Sequence, residues 1–295
     1  MSSQLTSVLS QNGLKIIKPM TQDHFDRFHA IVADVKGDKY FIKAVVGKNS
    51  YSYKSLIAES YITSYLSKLT HQNNIEYKNY RLLIPQVKKI IIQNHLVCLV
   101  SRFIKGKRIL DQSPSLQASF LKVTLELVLR LGNIADKRVI SPYIKNYSPL
   151  SFALHSPFQL AKAVLVAPDQ VVSLTRVFLK TLPLLFRQGP VSLVHADINA
   201  SNIWLQGKFL YLTDWEEAGW GLSDYNTVGP LSVHWNIPET KNKLYSKSLI
   251  PLLAFRILVL FSQRLEPSDS RRKRDHSLLR EIILGDFGDV TVGKK

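Results

Sequence analysis

The sequence predicts an α+β protein in two lobes. A small antiparallel-sheet lobe with one helix is expected over residues 1–103, and a larger, mostly helical lobe over residues 104–295. Three observations carry that prediction. The 295 residues exceed the roughly 100–200 of one typical domain. The first hundred residues read as strands around a single helical stretch. After Ile104-Lys105-Gly106-Lys107 the pattern turns to long helical segments.

In chain order, Leu14–Ile17 is a short apolar-rich run. His29–Val35 and Lys39–Val46 flank the turn-prone pair Gly37-Asp38 and read as a hairpin. In Ser55–Leu69, the residues Leu56, Ile57, Ile62, Tyr65, Leu66 and Leu69 recur near the helical period. Pro85–Gln93 and Leu96–Phe103 are two further strands joined by Asn94-His95, so the order is β-β-β-α-β-β. Beyond a hinge near Ser101–Lys107, helical patterns cover Ser115–Leu131 and Val171–Phe186, with a Pro- and Ser-containing region around Ser141–Pro157 between them. A compact β block, Val191–Thr213, holds strands near Leu193–Val194, Ile203–Leu205 and Phe209–Leu212. Helical patterns resume over Ser223–His234, Lys241–Phe261 and His276–Leu284, and no internal repeat or low-complexity tract is present.

Composition narrows the class. A 45% hydrophobic content fills a core and excludes a disordered chain. The single cysteine, Cys98, excludes a disulfide scaffold and a cysteine zinc cluster, and suits a reducing compartment. His24 and His29 have no ligand-spaced partners, which argues against zinc as well. The longest apolar stretch, Leu249–Phe261, contains Pro251 and Arg256 and is shorter than the roughly 18 residues of a membrane span. The start MSSQLTSVLSQNG lacks the basic and apolar regions of a signal peptide, so a soluble, cytoplasmic protein is expected. Lys+Arg number 39 against 22 Asp+Glu, and 39 − 22 gives +17. That excess points to anionic partners, with a solvated surface as the plain alternative. The one dense basic run, Arg271–Arg274, is flanked by Asp269 and Asp275, which argues against a nucleic-acid patch.

The chemistry concentrates in Leu193–Trp204. A His-x-Asp-x-x-x-x-Asn core, His195, Asp197 and Asn202, stands between two short apolar strands. Twelve residues after Asn202 comes Leu212-Thr213-Asp214-Trp215-Glu216, again at a strand end. This spacing lets Asp197, Asn202 and Asp214 converge at one end of a hairpin, and hard oxygen donors of that kind suit Mg²⁺ beside substrate phosphates. The plain alternative, Asp and Asn capping turns, does not require apolar strands on both sides.

These residues resemble the catalytic core of the aminoglycoside phosphotransferase and choline kinase group within the protein-kinase-like fold. The likeness is dense over Val191–Tyr225 and runs in the correct order, more weakly, through the first lobe. It implies a bilobal protein-kinase-like fold, with Asp197 as catalytic base or as the group orienting the acceptor hydroxyl. Asn202 and Asp214 would hold Mg²⁺ on ATP, and Glu216 would assist the metal through water or face solvent. Lys43, in the strand Tyr40-Phe41-Ile42-Lys43-Ala44, would bind the α/β-phosphates, with Glu59, the only acid between Ala44 and Leu69, as its partner. The segment Leu99–Ile104, with Ser101 and Phe103, resembles the hinge whose backbone binds adenine. His195 is expected to be structural, packing the loop together with Asp224 and Asn226.

The chain departs from the family pattern at three places. Lys18–Phe28 contains no glycine, so no glycine-rich loop covers the phosphates. Ala196 stands where glycine is usual between His and Asp. Asp224-Tyr225-Asn226 replaces Tyr-Asp, leaving an uncharged amide at the bracing position. No Gly-x-Ser-x-Gly elbow is present for hydrolase chemistry, and His234 and Trp235 read as helix packing.

The resulting expectation is an ATP- and Mg²⁺-dependent phosphotransferase acting on a small-molecule hydroxyl, with GTP as the other nucleotide to consider. A protein kinase is disfavoured because Trp215-Glu216, not Phe-Gly, follows Asp214 and no Ala-Pro-Glu follows. The alternative is a catalytically weak, kinase-like nucleotide- or anion-binding module. The +17 charge repels polycations, so a neutral or anionic acceptor is expected, bound by a monomer or dimer.

Overall fold

In the computed structural model, residues 3–19, 27–47, 50–93, 95–166, 168, 171–186, 189–234, 237–263 and 278 are described. Along the chain run α1 (Ser3–Gln11), β1 (Lys15–Pro19), β2 (Arg27–Ala33), β3 (Lys39–Val46), α2 (Tyr51–Gln72), β4 (Glu76–Tyr77), β5 (Tyr80–Leu83), β6 (Val87–Gln93), β7 (Leu96–Arg102) and β8 (Lys107–Arg108). Next come α3 (Pro114–Ile134), α4 (Lys137–Ile140), β9 (Lys145–Tyr147), α5 (Pro149–Val166), α6 (Val171–Leu185), β10 (Val191–Val194), β11 (Ile203–Gln206), β12 (Phe209–Leu212) and β13 (Gly219–Leu222). The last are α7 (Tyr225–Val233), α8 (Pro238–Leu244) and α9 (Ile250–Gln263).

The chain divides into two compact units. Met1–Asp111, Ile134–Lys145 and Ser201–Ala218 form the first; Gln112–Asn133, Asn146–Ala200 and Gly219–Lys295 form the second. In the first, a five-stranded antiparallel sheet has the order β1-β2-β3-β7-β6. Alternation along β3 sends Tyr40, Ile42 and Ala44 into a core with Leu5, Val8 and Leu9 of α1. The opposite face puts Val45, Val97 and Leu99 against Leu56 of α2. Ser50 starts α2 by accepting a hydrogen bond from the Tyr53 amide at 3.0 Å. A second sheet of the same unit, β4-β5-β12-β11-β8, carries the β11–β12 hairpin. Residues 134–145 are tied to α2 by the Asp136 amide, which donates to the Tyr65 hydroxyl at 2.8 Å, and by Tyr143 stacked on Tyr61 at 4.6 Å.

The second unit is mostly helical, with the short sheet β10-β13-β9. Gly221 is required there: a Cβ would stand 2.1 Å from the Tyr147 carbonyl oxygen. Tyr147, Phe152, Tyr225 and Phe255 form an aromatic cluster, with centroids 4.5–6.1 Å apart.

Several elements differ from expectation. α1 precedes the first strand, and β4 and β5 fall between the first long helix and the later hairpin. The Ser141–Pro157 region enters α5 despite Pro157, because burial of Phe152 and Ala163 outweighs one missing N–H. The Val191–Thr213 block is split: β10 pairs with β13, while β11 and β12 belong to the other sheet. Lys241–Phe261 is two helices, broken where Tyr245 and Ser246 are extended and restarted near Pro251. His276–Leu284 lies outside the described residues except Leu278, and Arg271–Arg274, Trp235 and His24 lie outside them too.

Candidate active site

Lys43 stands on the α2 face of its sheet, opposite His29 on one neighbouring strand and Leu99 on the other. Its Nζ donates to Glu59 Oε2 and to Asp214 Oδ1, both at 2.8 Å, and lies 3.5 Å from Glu216 Oε2. Glu216 is not solvent-facing: Arg27 grips it through two bonds of 2.6 and 2.5 Å. Burial opposes charge on Lys43, but the carboxylates of Glu59, Asp214 and Glu216 outweigh it and raise its pKa above the usual lysine value. Burial also pushes the Glu59 carboxyl up to about 7, against the pull of Lys43. Glu216 goes the other way: Arg27 and Lys43 overcome the cost of burial and hold it below the ordinary carboxylate range.

Two cations thus face three carboxylates. Oxygens of Glu59, Asp214 and Glu216 lie within 4.8 Å of one another. Asp214 is the most open, with 40% of its side chain exposed against 4% for Glu59 and 12% for Glu216. An excess of hard oxygen donors with one carboxylate facing outward fits a divalent cation such as Mg²⁺.

The β11–β12 hairpin places Asp214. Register pairs Ile203 with Leu212, so Asn202 and Thr213 come next, and the Thr213 amide and hydroxyl both donate to the Asn202 carbonyl at 3.0 and 3.1 Å. Asn202 Oδ1 accepts from the Ser201 hydroxyl at 3.3 Å. Asp214 then adopts φ 65°, ψ 62°, a left-handed conformation costly for a residue with a side chain. Buried Trp215 anchors the turn behind it, its Nε1 donating to the Leu212 carbonyl at 3.2 Å.

The Asp197 loop, in the second unit, is held by several neutral groups and faces one charged neighbour, Arg256. The His195 amide donates to Asn226 Oδ1 at 2.7 Å, and Asn226 Nδ2 donates to the Leu193 carbonyl at 3.0 Å. His195 is fully buried, and its Nδ1 accepts from the Asp197 amide at 3.3 Å. Asn199 Nδ2 donates to the Asp197 carbonyl and to its Oδ2, each at 3.2 Å. Ala196 is left-handed, φ 63°, and Gly229 of α7 lets the helix close on it: a Cβ there would meet the Ala196 carbonyl at 3.1 Å. Arg256 of α9 lies 4.0 Å from Asp197 Oδ1, kept charged against its burial by Tyr225 and Asp197. Asp224 precedes α7 without capping it, and burial raises its carboxyl pKa.

Of the residues singled out in the sequence, Lys43, Glu59 and Asp214 meet directly, and so do His195 and Asn226. Ser101 Oγ donates to the Phe41 carbonyl at 3.4 Å, and the Phe103 amide donates to the Lys39 carbonyl at 3.3 Å. The sequence reading gives Arg27 and Arg256 no site role, although each leaves a trace. Arg27 falls in alternation with His29, which pairs with Lys43, and Arg256 is the lone charge in the apolar run Leu249–Phe261.

No family model and no curated protein matches the chain. Solved structures do. A thermostable mutant of aminoglycoside phosphotransferase APH(4)-Ia, in ternary complex with AMP-PNP and hygromycin B, is 14% identical with a TM-score of 0.69, covering 97% of this chain and 100% of that one. Amicoumacin kinase hAmiN, in complex with AMP-PNP, Ca²⁺ and Ami, is 13% identical with a TM-score of 0.63, covering 97% and 94%. Spectinomycin phosphotransferase APH(9)-Ia, with ADP and spectinomycin, is 15% identical with a TM-score of 0.56, covering 96% and 97%. The chain has the aminoglycoside-phosphotransferase, kinase-like fold. Among the described residues no helix is long and apolar enough to cross a membrane.

Proposed function

We propose that the protein is an ATP-dependent phosphotransferase that moves the γ-phosphate to a hydroxyl of a small molecule, assisted by Mg²⁺. The observation that carries this reading is the Lys43–Glu59–Asp214 cluster, an ammonium fixed at 2.8 Å between a buried and a half-open carboxylate. Phosphoryl transfer is mostly positioning and charge neutralisation, and this cluster supplies both.

Glu59 holds the Lys43 ammonium so that it can meet the α/β-phosphates. Asn202 and Asp214 would hold Mg²⁺, which when bound neutralises charge on the phosphates. Glu216, gripped by Arg27, steadies Lys43 rather than meeting the metal itself. The Phe103 amide is engaged with Lys39, so the Phe103 carbonyl is the hinge group that would meet a base. Asp197 accepts a hydrogen bond from the acceptor hydroxyl and takes its proton as the new P–O bond forms and the bond from the γ-phosphorus to the β–γ bridging oxygen breaks, releasing ADP. His195, with Asn226 behind it, keeps the Asp197 loop in place. On this reading residues 1–103 serve the nucleotide, the 201–218 hairpin brings Asp214 to that unit, and the remaining chain serves the acceptor.

The acceptor is neutral or anionic. Arg256 beside Asp197 and the +17 net charge both disfavour a polycation. A cytoplasmic setting agrees with the one, buried free cysteine.

The test is a screen of hydroxylated metabolites, neutral, anionic and cationic, for acceptor-dependent ADP release. Turnover is expected with a neutral or anionic alcohol. Tight ATP·Mg²⁺ binding without turnover on any acceptor would instead mark a binding module.

A further inference from the structure

A cavity of about 550 Å³ opens in the first unit, lined by Lys39, Lys88, Arg102 and Lys105 with Asp38, Tyr40, Val87 and Phe103 among its other walls. It lies at the end of the sheet where Phe103 follows β7 and takes lining from both faces: Lys39 alternates with Lys43, and Val87 packs on the α2 side. Tyr40 belongs to the α1 core, whereas Lys43 points the other way along the same strand. β6 carries a bulge between Val87 and Lys89, which turns Lys88 onto the Tyr40 ring, its Nζ 5.8 Å from the centroid.

The four cations make no ion pair among the described residues. The nearby acid, Asp34, is occupied in shaping the hairpin. Its Oδ1 accepts from the Lys36 and Asp38 amides at 2.9 and 3.0 Å, and its Oδ2 from the Tyr40 hydroxyl at 3.2 Å. A fixed turn therefore presents one wall of a concave site that gathers four cations, with Lys88 balanced in part by Asp34 and the Tyr40 ring. Arg102 adds a planar donor fork suited to phosphate oxygens. A nucleic acid is read along an extended stripe, whereas this is a hollow of small-ligand size.

We propose that this cavity binds a small ligand carrying two or more phosphates through Lys39, Lys88, Arg102 and Lys105 rather than through Lys43. The inference rests on these four cations and not on the phosphotransferase reading, whose hinge group Phe103 lines the same cavity.

Calorimetric titration of the full chain with sodium tripolyphosphate, in the absence of Mg²⁺, tests it. Lys88→Ala with Arg102→Ala, and separately Lys39→Ala with Lys105→Ala, should each weaken binding at least tenfold, while Lys43→Met binds within about twofold of wild type. These four side chains are exposed, so both double variants should melt with the wild type. The proposal is overturned if wild type binds no tripolyphosphate at millimolar concentration. It is equally overturned if Lys43→Met abolishes the binding that both double variants keep, or if both lose duplex-DNA binding that exceeds tripolyphosphate binding in wild type.

Discussion

The Lys43 cluster and the Asp197 loop are held by opposite means. Around the Lys43 ammonium the partners carry charge, and geometry follows from ammonium and guanidinium shared among three carboxylates. Around Asp197 the chain is held by an amide, Asn226, a buried imidazole and the close approach of Gly229. A charge cluster tolerates exchange of one partner for a ligand, because a phosphate or a metal can replace what leaves. The amide and imidazole contacts of this loop, with Arg256 4.0 Å from Asp197 Oδ1, suit a base that must meet a hydroxyl in one orientation.

The largest effect should separate chemistry from scaffold. Asp197→Asn is expected to lower phosphoryl transfer by about 10²–10⁴-fold, the range typical of a general base, while ATP·Mg²⁺ affinity stays within twofold. Equal turnover in both proteins would remove Asp197 from the base role. Lys43→Met strips the cluster of its central cation and leaves buried carboxylates uncompensated. A stability loss of about 3–5 kcal/mol in urea melts, together with loss of ATP binding, is expected. A variant as stable as wild type would show that Arg27 alone balances the cluster.

Asn226→Asp probes the other region. The substitution keeps an acceptor for the His195 amide but removes the donor to the Leu193 carbonyl and buries a charge. A loss of about 1–3 kcal/mol is expected, and a neutral or stabilising result would mean that the loop prefers the acid. Ala196→Gly should act in reverse. Relief of the left-handed strain at φ 63° should exceed the entropy cost of glycine and raise stability by about 0.5–1 kcal/mol. The smallest effect is at Cys98, whose burial pushes the thiol up to about 12. Because the thiolate is disfavoured until pH approaches that value, iodoacetamide at pH 8 should label it only on unfolding. Rapid labelling of the native protein would mean that the β7 core opens readily.

Much of this was legible before any coordinates. Period-two alternation from Lys39 to Val46 aims Lys43 away from the apolar side of its strand, and Glu59 is the one acid in the helix facing it. The paired apolar strands before and after Asn202 and Thr213 announce the β11–β12 hairpin. Less legible were elements whose local signal is weak or misleading. β4 is two residues long, and α5 contains a proline that its packing overrides. The partner strand of β10 is Gly219–Leu222, whose two glycines speak against a strand until Tyr147 demands one of them.

By itself the sequence determined the strand and helix periods, the spacing of Asp197, Asn202 and Asp214, and the surplus of positive charge, because each is a property of neighbours along the chain. Only the tertiary structure decided that Glu216 belongs to Arg27 and Lys43, that Arg256 stands beside Asp197, and that four separate basic residues share one hollow. The two ion pairings join residues far apart in sequence, and what selects them is the cost of leaving a charge buried without a partner, whereas the hollow follows from strand pairing that sets Tyr40 opposite Arg102; no local pattern records either.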